Sequence, residues 1–219
     1  MSGVHAPHAP LSEGPLRDGL RTPSRQRRRL PRGDRHEELV RGAMRVLRSE
    51  GNPDNWVAAV TSEADAAKGT FYVYFPSWEA MLATVRQRLV DAAGAPIRSA
   101  LARSEPLEPW AVLADACSSF IDVVLEYGRH HALIFHGTAP TESMADPNSA
   151  ERLLTALIER GVAEGSLGQV DVGAAARLLL AAVHAAADAV LAGGERRRWT
   201  DACLVLARGY LGPPVSARE

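Results

Sequence analysis

The residues most capable of chemistry lie on one short predicted helix, Ala67–Phe75. At about 100° per residue, Phe71 and Phe75 fall on one side as an apolar pair that requires a core. The first turn and the other faces carry an amine, two phenols, a glycine and two side chains with methyl groups: Lys68, Gly69, Thr70, Tyr72, Val73 and Tyr74. The amine and the phenols suit phosphate oxygens, the methyl groups suit thymine, and Gly69 permits close approach. The pattern therefore predicts contact with double-stranded DNA, with an ordinary amphipathic core helix as the alternative.

A basic segment precedes this helix. Residues 1–33 contain Pro, Gly, Ser, His and Arg with almost no apolar periodicity, which predicts a disordered arm. Its arginines cluster at the end of the segment: Arg25, Arg27, Arg28, Arg29 and Arg32. The cluster is either a solvated charge run or an arm that follows the minor groove and contacts phosphates, with Arg28 and Arg29 as the candidates.

Other kinds of chemistry have weaker support. Glu126 and His130 are four apart on a predicted helix, with His131 and His136 nearby, which would be the start of a metal site. There is no His-Glu-x-x-His motif and no second carboxylate at helical spacing. A glycine-rich phosphate loop, a Gly-x-Ser-x-Gly turn and a Cys/His dyad signature are also missing. We predict no catalytic residue, no metal and no cofactor.

The cysteines and the apolar runs bear on location. Cys117 and Cys203 are far apart in sequence and lie in predicted helices, so they predict neither a metal site nor a secreted disulfide framework. No apolar signal peptide opens the chain. The longest apolar run, Leu178–Ala192, is shorter than a membrane span and contains His184 and Asp188. We expect a soluble, cytoplasmic protein with no membrane partner.

The elements that must position these residues are helices. Alanine and leucine are abundant and aromatic residues make up only 5%, which favours helices over strands. Residues 95–109 are predicted to be a proline-containing connection. The fold class is predicted to be all-α with about nine helices, at approximately 34–50, 56–63, 67–75, 77–93, 110–127, 129–137, 148–164, 171–191 and 195–211.

The run Lys68–Ser77, with the sequence KGTFYVYFPS, resembles the recognition helix and following turn of the tetracycline-repressor (TetR) family of bacterial transcriptional regulators. The resemblance extends from Leu39 to about Val90, and beyond it only helix lengths and order fit. It implies a helix-turn-helix head, with the motif itself at about 56–75, followed by a larger helical domain. The predicted domains are a disordered arm at 1–33, a DNA-binding domain at 34–93, a ligand-binding and dimerisation domain at 94–212, and a disordered tail at 213–219.

The resemblance also implies partners for the second domain. In this family the last two long helices pair with those of a second copy, so residues 171–191 and 195–211 are expected to form a homodimer interface. A small-molecule effector pocket is implied between residues 110 and 144, and its mostly apolar character would favour an apolar or amphipathic effector. The expected lining, for which core packing is the alternative, is Trp110, Phe120, Tyr127, His131, Phe135, His136 and Met144.

Three places depart from the family pattern. Trp78 stands where a phosphate-binding lysine is usual, and Trp56 and Val57 stand where helix 2 usually begins with threonines. Ala66 and Ala67 replace a valine and a serine. Each lost phosphate contact would weaken binding. A TetR-like fold with a degenerate head, acting as a ligand- or partner-binding protein, therefore stays open, as does a helical enzyme or carrier.

The charge distribution favours contact of the front half with a polyanion. Residues 1–90 carry a balance of +4 and residues 91–219 a balance of −5, within a net charge of −1. With the resemblance, this predicts a ligand-responsive regulator that binds a palindromic operator as a dimer and is released by its effector. Members of this family usually repress transcription, and the resemblance implies the same here.

Overall fold

The computed structural model describes residues 32–135 and 149–212. These residues form ten α-helices and one 3-10 turn, with no strand among them, so the all-α prediction is confirmed. The helices are α1 Arg32–Arg48, α2 Trp56–Glu63, α3 Lys68–Tyr74, α4 Trp78–Ala93, α5 Ala95–Ala102, α6 Pro109–Tyr127, α7 His131–Phe135, α8 Ala150–Ala163, α9 Val172–Leu191 and α10 Arg196–Leu211. The 3-10 turn is Gly128–His130. Outside the described residues lie the predicted disordered arm up to residue 31, the tail 213–219, and Arg28, Arg29, His136 and Met144.

Local capping sets the boundaries of the first helices. The backbone N–H of Ala58 donates to the side-chain oxygen of Asn55 at 2.9 Å, which begins α2 where a good N-cap residue stands. The Ser77 hydroxyl accepts from the N–H of Ala80 at 3.2 Å and begins α4 in the same way. Pro76 precedes Ser77 and ends α3, because a proline cannot continue the helical hydrogen bonds.

One apolar core joins the front helices to the long helices behind them. Leu39, Val40 and Leu47 of α1 are fully buried, and the same cluster of contacting side chains includes Ile121 and Val124 of α6. Helix α4 packs against both α1 and α6. The head is therefore held to the rear helices by shared core packing rather than by a flexible linker.

An ion pair connects α4 to α1, and a hydrogen bond connects α4 to α7. The guanidinium of Arg88 binds the Glu37 carboxylate of α1 through two nitrogens, one of them 2.6 Å from a carboxylate oxygen. The buried Arg86 donates from Nε to the backbone oxygen of Ile134 in α7 at 2.7 Å. A shift of α4 would therefore be transmitted to the head on one side and to α7 on the other.

The segment predicted as a connection, 95–109, is helical over its first half. Helix α5 has a proline in its first turn, where the missing N–H leaves no helical hydrogen bond unmade. Ile97 and Ala100 bury its inner face against α6 and α8. The prediction was wrong because it took Pro96 as a breaker, although proline is well tolerated at a helix start.

Helix α9 is the longest and most apolar helix of the described chain. By length and composition alone, it is the one helix in residues 32–135 and 149–212 that meets the requirements of a membrane span. The helix is longer than the apolar run Leu178–Ala192 because it begins at Val172. In the structure α9 packs against α6, α8 and α10.

Candidate nucleic-acid interface and ligand cavity

Helix α3 has one buried face and one exposed face. Phe71 and Phe75 are 0% and 3% exposed and lie in the head core, with ring centroids 5.6 Å apart. Tyr72 and Val73 are 51% and 63% exposed, although large apolar and aromatic side chains ordinarily seek burial. The arrangement leaves an aromatic and an aliphatic side chain free to contact a partner while two phenylalanines anchor the helix.

The other predicted DNA-binding residues of α3 take up different positions around it. Lys68 and Gly69 are exposed in the first turn, and Thr70 is half-buried. A methyl group added at Gly69 would meet no atom of the described chain within 4 Å, so the space in front of it is open. Tyr74 is half-buried, with its ring centroid 6.1 Å from that of His36 on α1 and the two rings edge to face. Tyr74 therefore contributes to the packing of the head as well as to its surface.

The two tryptophans that depart from the family pattern form one aromatic cluster. Trp56 and Trp78 stack with centroids 5.3 Å apart and planes inclined by 14°. His130, in the 3-10 turn, meets Trp56 edge-on at 5.1 Å. Its Nδ1 lies 2.8 Å from the carbonyl oxygen of Leu47, and because a carbonyl only accepts, Nδ1 carries the proton. The cluster joins α2, α4 and the rear domain, a role that the sequence analysis did not predict.

An apolar cavity of about 90 Å³ lies in the rear domain, lined by residues of helices α4 to α10. Phe120 and Phe135, two of the predicted lining residues, are at its wall. The commonest residue in the remaining wall is leucine, from α6, α8, α9 and α10: Leu113, Leu153, Leu154, Leu179, Leu180 and Leu204. These side chains are brought together only by packing, and no local pattern in the sequence marks them as a set.

Three other predicted lining residues do not line this cavity. The Tyr127 ring is buried in the core with the Arg48 guanidinium 5.3 Å above it. His131 is buried with Nδ1 3.5 Å from the Asp188 carboxylate. Trp110 is half-buried, with the Arg208 guanidinium 5.5 Å above its ring. Each has a structural partner on a neighbouring helix, so aromatic type alone was not a sufficient signal of a ligand wall.

The polar side chains at the cavity wall are His184, Cys117 and Cys203, and the sequence analysis assigned none of them to a pocket. His184 carries the proton on Nδ1, which lies 2.8 Å from the carbonyl oxygen of Leu180. Its ring centroid is 4.5 Å from that of Phe120. A wall of leucine and phenylalanine with a few polar atoms suits an apolar or amphipathic small molecule.

Glu126 and His130, which were considered above as the start of a metal site, bind other partners in the structure. Glu126 pairs with Arg48 at 2.8 Å, while His130 binds the Leu47 carbonyl. Within residues 32–135 and 149–212, no group of three His, Cys, Asp or Glu side chains is placed to hold a metal ion.

The last two helices expose several large apolar side chains. Leu178 is 54% exposed and Leu191 38% exposed on α9. On α10, Val205, Leu206 and Tyr210 are 71%, 49% and 40% exposed. An exposed apolar surface of this kind marks an interaction site more often than scattered single residues do.

These features define a class of protein: a three-helix head with an exposed third helix, carried on a helical domain that encloses an apolar cavity. No protein-family model matches the chain. The chain is 26% identical over 172 residues to the HTH-type transcriptional regulator EthR of Mycolicibacterium smegmatis, a match that covers 73% of this chain and 77% of EthR.

Solved structures share the fold. A TetR transcription regulator from Haloarcula marismortui superposes with a TM-score of 0.57 at 18% identity, covering 82% of this chain and 99% of that one. RolR, in a structure with its ligand resorcinol, superposes with a TM-score of 0.58 at 18% identity, covering 80% and 88%. The chain has the fold of TetR-family regulators, as the resemblance of Lys68–Ser77 implies.

Proposed function

We propose that the protein is a ligand-responsive transcriptional regulator, a repressor in the usual sense of this family. As a homodimer it binds a palindromic operator, and a small apolar or amphipathic effector releases it. The observation that carries the proposal is the two-faced α3, which buries Phe71 and Phe75 and presents Tyr72 and Val73 to solvent. Similarity to EthR supports the same class of function. A cytoplasmic location follows from this role.

At the DNA, α3 enters the major groove with Gly69 at the point of closest approach. Thr70 and Val73 offer methyl groups to thymine, whereas Lys68 and the hydroxyl of Tyr72 bind phosphates. Tyr74 contributes a further phosphate contact from its half-buried position. The arm that contains Arg28 and Arg29 adds phosphate contacts, which replace those lost at Trp56 and Trp78. The basic balance of the front half supports this assignment.

Dimerisation uses the exposed apolar side chains of α9 and α10. Burial of Leu178, Val205 and Leu206 against the same residues of a second copy removes apolar surface from water. A two-fold axis through this surface pairs identical patches and places two heads side by side. Two recognition helices about 34 Å apart then read two half-sites of a palindrome.

The effector occupies the rear cavity. A cavity of about 150 Å³ lined by apolar side chains holds benzene, so the 90 Å³ cavity suits a group no larger than one ring until the wall widens. Phe120 and Phe135 provide aromatic contacts, and His184 stands at the wall as a polar group. RolR, with the same fold and a bound resorcinol, supports a small-molecule ligand for this domain.

Coupling between the two sites passes through α4. Val90 and Ala93 of α4 line the cavity, and Arg86 of the same helix is hydrogen-bonded to Ile134. A ligand that displaces Phe135 or the end of α4 moves the head through α4. Release requires that the ligand binds the DNA-incompetent state more tightly, since equal affinity for both states shifts nothing.

The decisive experiment selects binding sites for the purified full chain from a pool of random DNA duplexes at two salt concentrations. We expect enrichment of a palindrome. Lys68→Ala should weaken binding to all sequences and reduce the slope of log K against log salt by about 1. Arg103→Ala, which removes an exposed cation of the rear domain, serves as the control and should leave the slope unchanged.

A second function is favoured by the Trp56–Trp78 stack, which occupies positions where the family usually contacts phosphates. In that case the head has become a structural part of a ligand- or partner-binding protein. Weak binding that disappears at higher salt, with no enriched sequence, would support this function over the first. Catalytic turnover by the purified protein would instead favour an enzyme or carrier.

The arm is tested separately by removal of residues 1–33. We expect binding to a selected operator to weaken and its salt dependence to become shallower, because fewer phosphates are neutralised. Undiminished affinity would exclude the arm from the interface while leaving the assignment of α3 intact.

A further inference from the structure

The two cysteines meet at the cavity wall. Cys117 belongs to α6 and is 7% exposed, and Cys203 belongs to α10 and is half-buried. Both side chains line the same cavity, on the packed helices α6 and α10, and the two thiols interact electrostatically there. The Cys203 Sγ also lies 3.5 Å from the carbonyl oxygen of Ala182 on α9. Residues that are remote in the sequence thus form a neighbouring pair of thiols beside the proposed effector.

The environments of the two sulfur atoms are unequal. The interaction with Cys203, together with burial, raises the pKa of Cys117, which therefore keeps its proton. The same interaction lowers the pKa of Cys203, because the S–H of Cys117 stabilises the neighbouring thiolate against the cost of burial. The thiolate is the reactive form of cysteine, so Cys203 is the nucleophile and Cys117 is placed to react with its product.

We propose that Cys117 and Cys203 form a redox-active dithiol, which a neutral hydroperoxide entering the apolar cavity converts into an intramolecular disulfide. The wall is mostly leucine, phenylalanine, alanine and valine and has no acidic or arginine side chain, so it admits an uncharged oxidant more readily than an ionic one. Two neighbouring thiols suit disulfide formation, whereas a third ligand for a metal ion is not present in the described residues.

The reaction has two steps. The Cys203 thiolate attacks the terminal oxygen of the hydroperoxide, the O–O bond breaks, and the departing alkoxide or hydroxide takes up the proton that Cys203 released. Cys203 is then a sulfenic acid. The sulfur of Cys117 attacks the sulfur of Cys203, and the hydroxide that leaves combines with the Cys117 proton to form water. In total two thiols lose two electrons, and the hydroperoxide is reduced to an alcohol and water, or to two waters.

The disulfide would join two helices with different tasks. Helix α6 packs against α4, which carries the head, and α10 carries three of the five exposed apolar side chains. A covalent bond between them constrains the cavity wall from both sides. The oxidation state of the dithiol is thereby a second input to the same domain, beside the effector.

The experiment uses the full chain, reduced and freed of reductant. One sample receives cumene hydroperoxide and another hydrogen peroxide, after which N-ethylmaleimide labels the remaining thiols and the intact mass is measured. We expect loss of two hydrogen atoms, loss of labelling at both cysteines, and recovery of both thiols with dithiothreitol. Faster oxidation by cumene hydroperoxide would identify an organic hydroperoxide as the substrate, and faster oxidation by hydrogen peroxide would identify the inorganic one.

Two variants separate the roles of the thiols. Cys203→Ser should leave Cys117 open to labelling after peroxide, because the nucleophile is gone. Cys117→Ser should stop at a sulfenic acid on Cys203 that dimedone traps. Circular dichroism of both variants checks that they fold, and serine closely matches cysteine in size.

Several outcomes would overturn the proposal. These are full labelling of both thiols after excess peroxide, a disulfide between two copies on a non-reducing gel, and sulfinic acid at Cys203 without a disulfide. The mass measurement does not involve DNA, so its result is separate from that of the operator selection.

Discussion

The exposed face of α3 and the rear cavity are the two functional regions of the molecule, and they are built in opposite ways. The α3 surface comes from seven consecutive residues, Lys68–Tyr74, that project from a buried pair of phenylalanines. The cavity wall comes from 19 residues on helices α4 to α10, many of which are also core residues. At α3, all the proposed contact residues except Tyr74 therefore differ from the side chains that stabilise the head, whereas at the cavity the same side chains serve both purposes.

The largest expected effect tests the two faces of α3. Phe71→Ala should destabilise the protein by about 3–5 kcal/mol, because it leaves a void in the head core. Val73→Ala on the exposed face should change the free energy of unfolding by less than about 0.5 kcal/mol. Urea unfolding followed by circular dichroism measures both. Similar losses for the two variants would show that the faces of α3 are not separate.

The second effect concerns the cluster that joins the two regions. Trp56→Ala and Trp78→Ala should each destabilise the protein by about 1–3 kcal/mol, less than a fully buried tryptophan because both are half-buried. The stacking itself should appear as a coupling energy of about 0.5–1.5 kcal/mol in a double-mutant cycle. Additive losses would mean that the two rings pack independently and do not connect α2 with α4.

The third effect tests whether the cavity can be filled without loss of the fold. Val183→Phe places a ring in the 90 Å³ space and should change the free energy of unfolding by less than about 1.5 kcal/mol. Toluene should raise the melting temperature of the wild type but not that of the variant, because bound ligand stabilises only the protein that can hold it. Val205→Phe, on the exposed surface of α10, is the control, and toluene should still raise its melting temperature. An equal response in wild type and Val183→Phe would place toluene elsewhere.

The smallest expected effect on stability comes from an ion pair between Glu37 and Arg88 in the head. The hydrogen bond from Arg88 holds the pKa of Glu37 below its ordinary value of 4.5. The ion pair therefore stabilises the folded protein fully above pH 4.5, and this stabilisation is lost as the pH falls through the lower pKa that Glu37 has in the folded state. Glu37→Gln should cost at most about 1 kcal/mol at pH 7, since the pair is partly exposed. Free energies of unfolding measured from pH 7 down to pH 3 should show the difference between the wild type and Glu37→Gln becoming smaller. Glu50→Gln, an exposed control, should differ little from the wild type in stability over this range.

The head was predictable because its signals are local. The spacing of Phe71 and Phe75, the caps at Asn55 and Ser77, and the position of Pro76 all act within a few residues, and the structure has each as expected. Local rules also explain the one helix that was missed, since Pro96 lies in the first turn of α5 and not in its interior. What local rules did not reveal is that Trp56 and Trp78 stack on each other, because their stacking depends on how α2 and α4 cross.

The sequence by itself determined the helices, their amphipathic faces and the resemblance of the front domain, because helix periodicity and capping are properties of neighbouring residues. Only the tertiary structure decided which side chains line the cavity. Phe120 and Phe135 reach it, Tyr127 and His131 do not, and Cys117 meets Cys203 there. A wall assembled from seven helices depends on their packing angles and rotations, and no single helix carries that information.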